Sequence, residues 1–389
     1  MSHCILHSNS HRSDRIRVLH SVGHLLRGGI ENWLYQMITR LDPLHFEHHV
    51  LVWTDKEEPF TAQFREAGVR VIPCLNHSNP LSLALDLRSI VMRNGPYDVL
   101  HTHGTHGQGF IMAIVSAFGV RARVAHSHND IRPLLRKSSL PYRMYSAMGY
   151  AALRHLSTVG LGVSEMAAES MFGQGWRSNS RWRLLYCGID FQRFFREADP
   201  RLREKLGIPQ DRYVLGHVGR YVKQKNHKLM VEILDELVHR DTKYHLLFIG
   251  DGPMRDQVMA DVEKRRLSAH VTSVLDTSDV PSYLASAMDC FLFPSTHEGL
   301  GLAAVEAQAA GLPCMLSSVI SSEVVVNTAM CRRIAPDAPA FLWANEIVRA
   351  PSRVCPNDPR FQQIFVASRF NIDQCVVRLT ETYAELVKD

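Results

Sequence analysis

Strand-like apolar runs alternate with helical patterns along the whole chain, and this alternation constrains the fold more than any other feature. The first run covers residues 16–22, and a helical pattern over 28–38 follows it. Further strand-like runs lie at 48–53, 69–72, 99–101 and 123–126, and a second series lies at 213–218, 244–249, 271–274 and 290–293. At 389 residues the chain is long enough for two cores. This rhythm predicts two α/β domains with doubly wound parallel sheets, joined between about 176 and 210.

The segment 291–313 predicts a strand, a polar turn and a helix of small residues. Gly299 and Gly301 allow the backbone to approach a ligand closely, and the helix start offers free N–H donors beside the positive end of its dipole. Glu298 lies at this helix mouth and Glu306 lies deeper along the helix, which the closing Gly-Leu-Pro is expected to end. Such a junction suits an anionic ligand that is rich in hydroxyl groups.

The spacing of the two acids argues against hydrolysis. If residues 298 to 306 were wholly helical, the two carboxylates would lie about 12 Å apart along the axis. A hydrolytic pair across one glycosidic bond needs roughly 5 to 9.5 Å. We therefore expect Glu298 and Glu306 to position a ligand rather than to act as an acid/base pair.

The Glu-x7-Glu pattern in this setting resembles the signature of glycosyltransferase family 4, the group 1 nucleotide-sugar transferases with the GT-B fold. The resemblance covers nearly the whole chain and implies two Rossmann-like domains that face a central cleft, with the last helix crossing back to the first domain. It implies an acceptor-binding domain over 1–190, a nucleotide-sugar-binding domain over 191–365 and a C-terminal helical segment over 366–389. Retention of anomeric configuration is implied by the resemblance alone.

Two cations follow the first strand of the second series. Arg220 and Lys225 come after Gly219 and are five residues apart. This pair suits a diphosphate, because the guanidinium of Arg can donate two parallel hydrogen bonds and the ammonium of Lys supplies a compact positive charge. The stretch is similar to the Gly-Arg-x4-Lys element of family 4, whose cations neutralise the departing nucleotide diphosphate. A basic helix cap is the alternative, and the neighbouring Lys223 is given no role.

A glycine pair near the N-terminus, Gly28 and Gly29, opens the first predicted helix. The segment lacks the Lys-Ser/Thr of a P-loop, which excludes that ATPase motif, and it lacks the G-x-G-x-x-G of dinucleotide-binding enzymes. It resembles the Gly-Gly-x-Glu loop of family 4, which lies in the cleft beside the donor phosphates and the acceptor. A glycine-rich turn between strand and helix is the alternative.

Three further site assignments come from the resemblance. His128 is the match for the strand-end histidine of the family near the reacting sugar, with His126 as the alternative. Backbone groups near Leu275 could read the edge of a nucleobase. The amides that follow Glu298, at Gly299, Leu300 and Gly301, would help to hold the sugar.

Histidine is abundant, with 21 residues, and His101, His103 and His106 cluster in the sequence. A His-x-His pair on a strand places both rings on one face, so a metal site is an alternative. We expect none, because no nearby Asp or Glu completes a ligand set. We also expect no cofactor, since the nucleotide-sugar is a substrate and the two cations would replace Mg²⁺.

The basic residues are unevenly distributed. Residues 1–190 hold 20 Lys and Arg against 14 Asp and Glu, whereas the rest hold 24 against 25. Between 131 and 183 the basic residues are interleaved with apolar ones in the manner of an amphipathic surface; the apolar residues include Leu134, Leu140, Tyr142, Met144, Tyr145 and Met148. This pattern favours contact with an anionic membrane surface, with a solvated basic face as the alternative. Nucleic acid is not expected as a partner, because the rest of the chain is not basic.

These observations predict a glycosyltransferase that moves a sugar from a nucleotide-diphosphate donor, with a UDP-sugar expected, to a hydroxyl of a glycan or lipid-linked acceptor. The N-terminal stretch is polar and no apolar run is long enough to span a bilayer, so we expect a cytoplasmic protein, peripheral on the inner face of the membrane. A nucleotide-sugar 2-epimerase on the same fold is one alternative. A non-catalytic glycan-binding or assembly subunit is the other.

Overall fold

A computed structural model describes residues 15–26, 28–77, 79–275, 277 and 279–388. Within these ranges the chain forms thirteen strands and fifteen α-helices. The polar N-terminal stretch on which the localisation was partly predicted, residues 1–14, lies outside the described residues. No helix within the described ranges is both long and apolar enough to cross a lipid bilayer.

The first sheet has seven strands. They are β1 (Ile16–Gly23), β2 (Phe46–Val52), β3 (Arg70–Pro73), β4 (Val99–His103), β5 (Ala122–Ser127), β6 (Val159–Gly162) and β7 (Trp182–Leu184). Their order in the sheet is β3-β2-β1-β4-β5-β6-β7, with β1 parallel to both β2 and β4. The strand order changes direction between β1 and β4, as in a doubly wound sheet.

The second sheet has six strands. They are β8 (Tyr213–Val218), β9 (Tyr244–Ile249), β10 (Val271–Val274), β11 (Cys290–Phe293), β12 (Cys314–Ser317) and β13 (Cys331–Ile334). The order is β10-β9-β8-β11-β12-β13, and every neighbouring pair is parallel. The change of direction falls between β8 and β11, so the loops that follow these two strands leave the same edge of the sheet side by side.

The helices connect the strands in the manner expected of α/β domains. They are α1 (Gly29–Ile38), α2 (Thr61–Glu66), α3 (Pro80–Asn94), α4 (Gly107–Ser116), α5 (Arg132–Arg136), α6 (Leu140–Leu156), α7 (Glu165–Phe172), α8 (Leu202–Lys205), α9 (His227–Arg240), α10 (Arg255–Lys264), α11 (Val280–Ser286), α12 (Leu302–Ala309), α13 (Ala340–Val348), α14 (Pro359–Val366) and α15 (Ile372–Lys388).

The described chain packs as two compact units. The first comprises residues up to 126, then 144–160 and the chain from 379 onward, and the second comprises 127–143 and 161–378. This division follows packing alone, so the domain boundaries predicted at 190 and 365 remain predictions. In the second unit β9 is buried along its whole length, as expected of a strand covered by helices on both faces.

The last helix returns to the N-terminal part of the chain, as predicted. The residues of α15 from Leu379 onward belong to the first unit. Tyr383 is fully buried there, with its hydroxyl oxygen 2.6 Å from Nδ1 of His101 and its ring centroid 5.8 Å from that of Phe46. An aromatic residue at the helical spacing of the apolar face therefore anchors the end of the chain.

The predicted strands are confirmed, and the sequence analysis missed four others. The strands β8 to β11 have the predicted bounds, and those of the first series agree within a few residues. The missed strands β6, β7, β12 and β13 have only three or four residues each. Length alone does not explain the omission, because β3, β10 and β11 also have four residues each and were predicted.

Candidate active site

Two loops of the second unit carry most of the predicted site residues. One covers 219–226 after β8, and the other covers 294–301 after β11. The strands pair in parallel, with Leu215 opposite Cys290 and Gly216 opposite Phe291. The topology of the sheet thus brings together residues that are far apart in the sequence.

Hydrogen bonds join the two loops into one framework. The backbone N–H of Thr296 donates to the carbonyl oxygen of Gln224 at 2.9 Å, and the side-chain amide of Gln224 donates to the carbonyl oxygen of His297 at 2.8 Å. The side-chain amide of Asn226 donates to the carbonyl oxygen of Pro294 at 3.4 Å. Because buried polar groups need partners, these bonds fix the relative position of the loops.

An ion pair lies inside this framework. Nζ of Lys225 donates to Oε1 of Glu298 at 2.7 Å, and it also lies 4.7 Å from the centroid of the Phe293 ring. The side chains of Lys225 and Glu298 are only 16% and 8% exposed. From the sequence, these two residues were expected to have separate roles, whereas in the structure they form an ion pair with each other.

Arg220 is close to Lys225 in the sequence but takes no part in the ion pair between Lys225 and Glu298. It is exposed, and among the described residues its guanidinium makes no hydrogen bond and no ion pair. Since the charge of Lys225 is balanced by Glu298, the loop keeps the positive charge of Arg220 available for an anion. The arrangement is one that can bind a phosphate.

Gly219 leaves space for Lys225. A Cβ atom at this position would lie 2.9 Å from Nε2 of His217 and 3.2 Å from Cε of Lys225. The ring of His217 is fixed by its Nδ1–H, which donates to the carbonyl oxygen of Leu292 at 2.9 Å, so it has little freedom to move away. The glycine is therefore needed for the packing of the lysine stem.

The segment from Glu298 to Gly301 precedes α12 rather than forming its first turn. The helix begins at Leu302, and Gly301 has a φ of +95°, a left-handed conformation that favours glycine. Residues 298 to 306 are therefore not wholly helical, and the separation of about 12 Å calculated for a continuous helix does not apply. Leu300 is buried at 4% exposure.

Gly299 is packed against the protein on one side. A Cβ atom there would come within 1.9 Å of the carbonyl oxygen of His128, and the Gly299 carbonyl accepts from Oγ of Ser164 at 2.7 Å. This packing is enough to explain why a glycine is needed at position 299, even if no ligand binds there. Its predicted approach to a ligand remains a prediction.

Glu306 occupies the partly buried face of α12. Desolvation raises the pKa of its carboxyl to about 7, and the positive charge of Arg193 opposes this shift. A carboxyl with this pKa is close to the midpoint of its titration at neutral pH. It is thus able to accept hydrogen bonds from hydroxyls once it is ionised.

His128 directly follows β5 and is buried at 6% exposure. Desolvation lowers the pKa of its ring to about 3, so the imidazole is neutral at physiological pH and acts through its N–H or lone pair. The alternative, His126, is fully buried, with its Nδ1 3.2 Å from Nε2 of His101. Within the second unit, the backbone carbonyl of His128 lies against the glycine-rich turn at Gly299.

The remaining predicted residues lie elsewhere. Gly28 precedes α1 in the first unit, and a Cβ atom on it would lie 2.3 Å from Oε2 of Glu31, whereas one on Gly29 would meet nothing within 4 Å. Leu275 directly follows β10 in the second unit and is 48% exposed. The neighbouring Asp276 lies outside the described residues.

Comparison with known families identifies the chain. The family model described as "Glycosyl transferase 4-like domain" matches residues 28–188, and the one described as "Glycosyl transferases group 1" matches residues 198–338. The chain belongs to the group 1 glycosyltransferases. It is an enzyme of the hexosyltransferase kind, as its sequence predicted.

Relatives of similar length support this assignment. The putative glycosyltransferase EpsF of Bacillus subtilis (strain 168) is 29% identical to this glycosyltransferase over 377 residues, which is 95% of this chain and 97% of the relative. The UDP-Gal:alpha-D-GlcNAc-diphosphoundecaprenol alpha-1,3-galactosyltransferase of Escherichia coli is 22% identical over 396 residues, which is 96% of this chain and 98% of the relative. Since these relatives are named as transferases, the epimerase alternative is not favoured.

Solved structures confirm the GT-B fold. The crystal structure of Anabaena Alr3699/HepE in complex with UDP matches this glycosyltransferase with a TM-score of 0.77 and 19% identity, covering 95% of this chain and 100% of that one. The complex of the same protein with UDP-glucose gives a TM-score of 0.76. At this identity the similarity establishes the architecture.

Some residues that shape the site of this glycosyltransferase were missed from its sequence. Gln308 is fully buried in α12, where its side chain donates to the carbonyl oxygen of Val324 at 2.8 Å and accepts from the N–H groups of Val326 and Asn327 at 3.0 and 3.1 Å. A lone glutamine in an alanine-rich helix was the signal for it. Ser164 could also have been found, since a serine before Glu165 is typical of a helix N-cap, and its side chain does cap α7.

Proposed function

We propose that this glycosyltransferase moves a hexosyl or N-acetylhexosaminyl group from a UDP-sugar to a hydroxyl of a glycan or lipid-linked acceptor, with retention of anomeric configuration. The complexes of Anabaena Alr3699/HepE with UDP and UDP-glucose support a uridine nucleotide donor. The Escherichia coli relative, which is named for UDP-Gal and a diphosphoundecaprenol acceptor, supports both the donor class and an acceptor carried on a lipid.

The observation that carries the proposal is the charge arrangement of the two joined loops. Lys225 is held at 2.7 Å by Glu298, and Arg220 is exposed and makes no ion pair among the described residues. Preorganised cations suit a reaction in which negative charge develops on a leaving group. We assign Arg220 and Lys225 to the diphosphate of the donor.

The proposed reaction breaks the bond between C1 of the sugar and the diphosphate oxygen, whose electron pair leaves with the nucleotide. The acceptor hydroxyl forms the new bond to C1 and loses its proton. Stabilisation of the departing diphosphate by Arg220 and Lys225 is the main catalytic contribution, and the site needs no metal at the diphosphate if these two cations do that work. We propose no covalent intermediate, because no carboxylate among the described residues is an obvious nucleophile.

Other residues would bind the donor without reacting. Glu298 and the amides of Gly299, Leu300 and Gly301 would hold sugar hydroxyls, and Glu306 would accept from the ribose. The backbone at Leu275 would contact the base. We assign the loop at Gly28 and Gly29 to the donor phosphates and the acceptor, and His128 to the reacting sugar.

The surface of helix α6 supports binding of the enzyme to a membrane. One face of α6 is buried through Ser146, Gly149, Tyr150 and Leu153. The opposite face exposes Met144 and Met148, with Tyr145 at its border, and Tyr142 is exposed in the first turn; these four side chains are 46 to 62% exposed. Basic residues flank this helix in the sequence, so we propose that the enzyme binds the anionic cytoplasmic face of a membrane, where a lipid-linked acceptor would be found.

Calorimetry with UDP, GDP, ADP and CMP, with and without Mg²⁺, tests the donor site. We expect one nucleoside diphosphate, UDP, to bind with a micromolar dissociation constant that Mg²⁺ does not change. Arg220→Ala should abolish this binding, and Lys223→Ala, a matched change of an exposed cation in the same loop, should leave it intact. No binding of any nucleotide would favour the non-catalytic alternative. Sugar conversion without acceptor and without net UDP release would favour the epimerase.

A further inference from the structure

The first unit contains a buried cluster of histidines to which the proposed function assigns no role. Its members are His20 on β1, His48 on β2, His101 and His103 on β4, and His126 on β5, and none is more than 7% exposed. Histidine is seldom buried to this extent, because its ring has two polar nitrogens that need partners. Five such rings on neighbouring strands call for an explanation.

The sheet register creates the cluster. In the parallel ladder His20 lies opposite His101, and His103 lies opposite His126. Side chains alternate between the two faces of a strand, so His101 and His103 share one face, and their partners on β1 and β5 share it with them. A His-x-His pair on one strand therefore gains a third ring from the adjacent strand.

The ring nitrogens approach one another closely. Nδ1 of His20 lies 3.1 Å from Nε2 of His103, and Nε2 of His20 lies 3.0 Å from Nδ1 of His48. The centroids of the His101 and His103 rings are 4.1 Å apart. One ligating nitrogen from each of His20, His101 and His103 can be chosen so that all three lie within 4.8 Å of one another.

These distances fit a metal ion. Two nitrogens bound to one zinc ion at about 2.0–2.1 Å with a tetrahedral angle are about 3.4 Å apart, close to the 3.1 Å between His20 and His103. We propose that His20, His101 and His103 bind one divalent transition-metal ion, with zinc as the first candidate. Imidazole nitrogens favour zinc, copper and nickel, whereas Mg²⁺ and Ca²⁺ require oxygen ligands.

Neighbouring groups set the tautomers that such a site needs. The hydroxyl oxygen of Tyr383 lies 2.6 Å from Nδ1 of His101, so a proton on Nδ1 leaves Nε2 with its lone pair. His48 has the same effect on His20. A proton on Nε2 of His20 that is shared with His48 leaves Nδ1 of His20 with a lone pair that can bind the metal ion. Outer groups of this kind are a regular feature of metal sites in proteins.

No metal was expected from the sequence, because no Asp or Glu lies near the His-x-His pair to complete a ligand set. The structure supplies another nitrogen ligand instead, from a strand that is distant in the sequence. The proposed ion is a structural one in the first unit, and no step of sugar transfer is assigned to it. It is separate from the cations of the donor site, which lie in the second unit.

Refolding with and without metal tests the proposal, because a buried site exchanges its ion slowly. The full chain is unfolded in denaturant with EDTA, then refolded with Zn²⁺, Co²⁺ or EDTA, and bound metal is measured after gel filtration. We expect about one tightly bound ion per chain, a visible Co²⁺ spectrum that reports nitrogen coordination, and a higher melting temperature than in EDTA.

Variants distinguish this site from the other histidines, which include His3, His7 and His11 near the N-terminus. His103→Gln should weaken metal binding by more than about 100-fold, and Tyr383→Phe, which keeps the packing of the ring, by about 10- to 100-fold. The matched control is His49→Gln. His49 is a buried histidine on β2 that bonds instead to Tyr97 and Glu47.

The outcomes are distinct. Metal binding that falls in His103→Gln or Tyr383→Phe but not in His49→Gln supports the site. If His103→Gln does not fold, Tyr383→Phe and the Co²⁺ spectrum of the wild-type protein decide. Wild-type protein that retains no tightly bound ion after refolding would overturn the proposal. Wild-type affinity in both His103→Gln and Tyr383→Phe would also overturn it, as would wild-type affinity in Tyr383→Phe alone if His103→Gln does not fold.

Discussion

Nζ of Lys225 lies 2.7 Å from Oε1 of Glu298, and this bond joins the loop after β8 to the loop after β11. The two residues also belong to the proposed donor site, so one contact serves both the stability of the loops and the placement of charge. The bond aims the Glu298 carboxylate, leaving its second oxygen to accept from a ligand. It also keeps the Lys225 ammonium from taking other positions.

The ion pair should be visible in the free energy of unfolding. Glu298→Gln leaves the ammonium of Lys225 in a largely buried place without its charged partner, so we expect a loss of about 1–3 kcal/mol. Lys225→Met should cost a similar amount. The double variant should lose less than the sum, with a coupling energy of about 0.5–3 kcal/mol by chemical denaturation.

An exposed pair provides the control for this cycle. Arg240 and Glu236 form an ion pair on α9 with side chains 35% and 41% exposed, and such a pair should give a coupling below about 0.5 kcal/mol. A Lys225–Glu298 coupling no larger than that would contradict the role given to this contact.

Arg220→Ala should lower the rate of sugar transfer by on the order of 10²-fold or more, because it removes a preorganised contact to the leaving group. Its stability should be unchanged, since the exposed guanidinium bonds to nothing among the described residues. Glu298→Ala should cost a similar factor in rate together with stability. Steady-state kinetics with Lys223→Ala as the control measure these effects, and wild-type turnover in Arg220→Ala would overturn the assignment.

Stability should depend on pH through Glu306. Burial raises the pKa of this carboxyl from 4.5 to about 7, so the folded protein holds the proton more tightly than the unfolded chain. This contribution to stability is therefore complete below pH 4.5 and is lost as the pH rises through 7. Glu306→Gln, which cannot ionise, should be more stable than the wild type by up to about 3 kcal/mol at pH 8 and nearly equal to it at pH 4.5.

Denaturation of both proteins across this pH range checks the prediction, with Glu381→Gln as a control. Glu381 is an exposed acid on α15, so its replacement should leave the pH profile as in the wild type. A Glu306→Gln profile parallel to that of the wild type would show that the carboxyl is not buried in solution.

The exposed face of α6 should bind anionic vesicles. We expect the enzyme to sediment with them at low salt and to be released as salt rises, because screening weakens attraction between basic residues and anionic headgroups. Combined Met144→Ser and Met148→Ser changes should weaken this binding, whereas Met92→Ser, at an equally exposed methionine on α3, should not. Failure of the wild type to sediment with anionic vesicles at low salt would exclude this surface.

The sequence predicted the fold well where strands are long and apolar. The bounds of the strand 244–249 were predicted correctly. All six of its residues are buried, and a strand that is buried on both faces appears in the sequence as a largely apolar run. Strand β13 was missed because two of its four residues are arginines, which are uncommon in a buried strand. An edge position in the sheet tolerates them, and edge positions are not visible in the sequence.

The sequence predicted which residues belong to the candidate site but not which of them contact one another. Lys225 and Glu298 were both named, yet their pairing depends on β8 and β11 being neighbours, which chain order alone does not reveal. The histidine cluster shows the same limit. The pair on β4 is plain in the sequence, whereas the approach of His20 becomes visible only from the register of β1 against β4.

The burial of Tyr383 against His101 has a consequence for how the chain is made. Translation produces the strands of the first sheet early, but Tyr383, whose hydroxyl contacts His101, follows the residues of the second unit in the sequence. The N-terminal unit therefore completes its packing only after the whole of the second unit has been synthesised. A chain that is cut or stopped before Tyr383 therefore lacks a fully buried side chain in the unit whose strands were synthesised first.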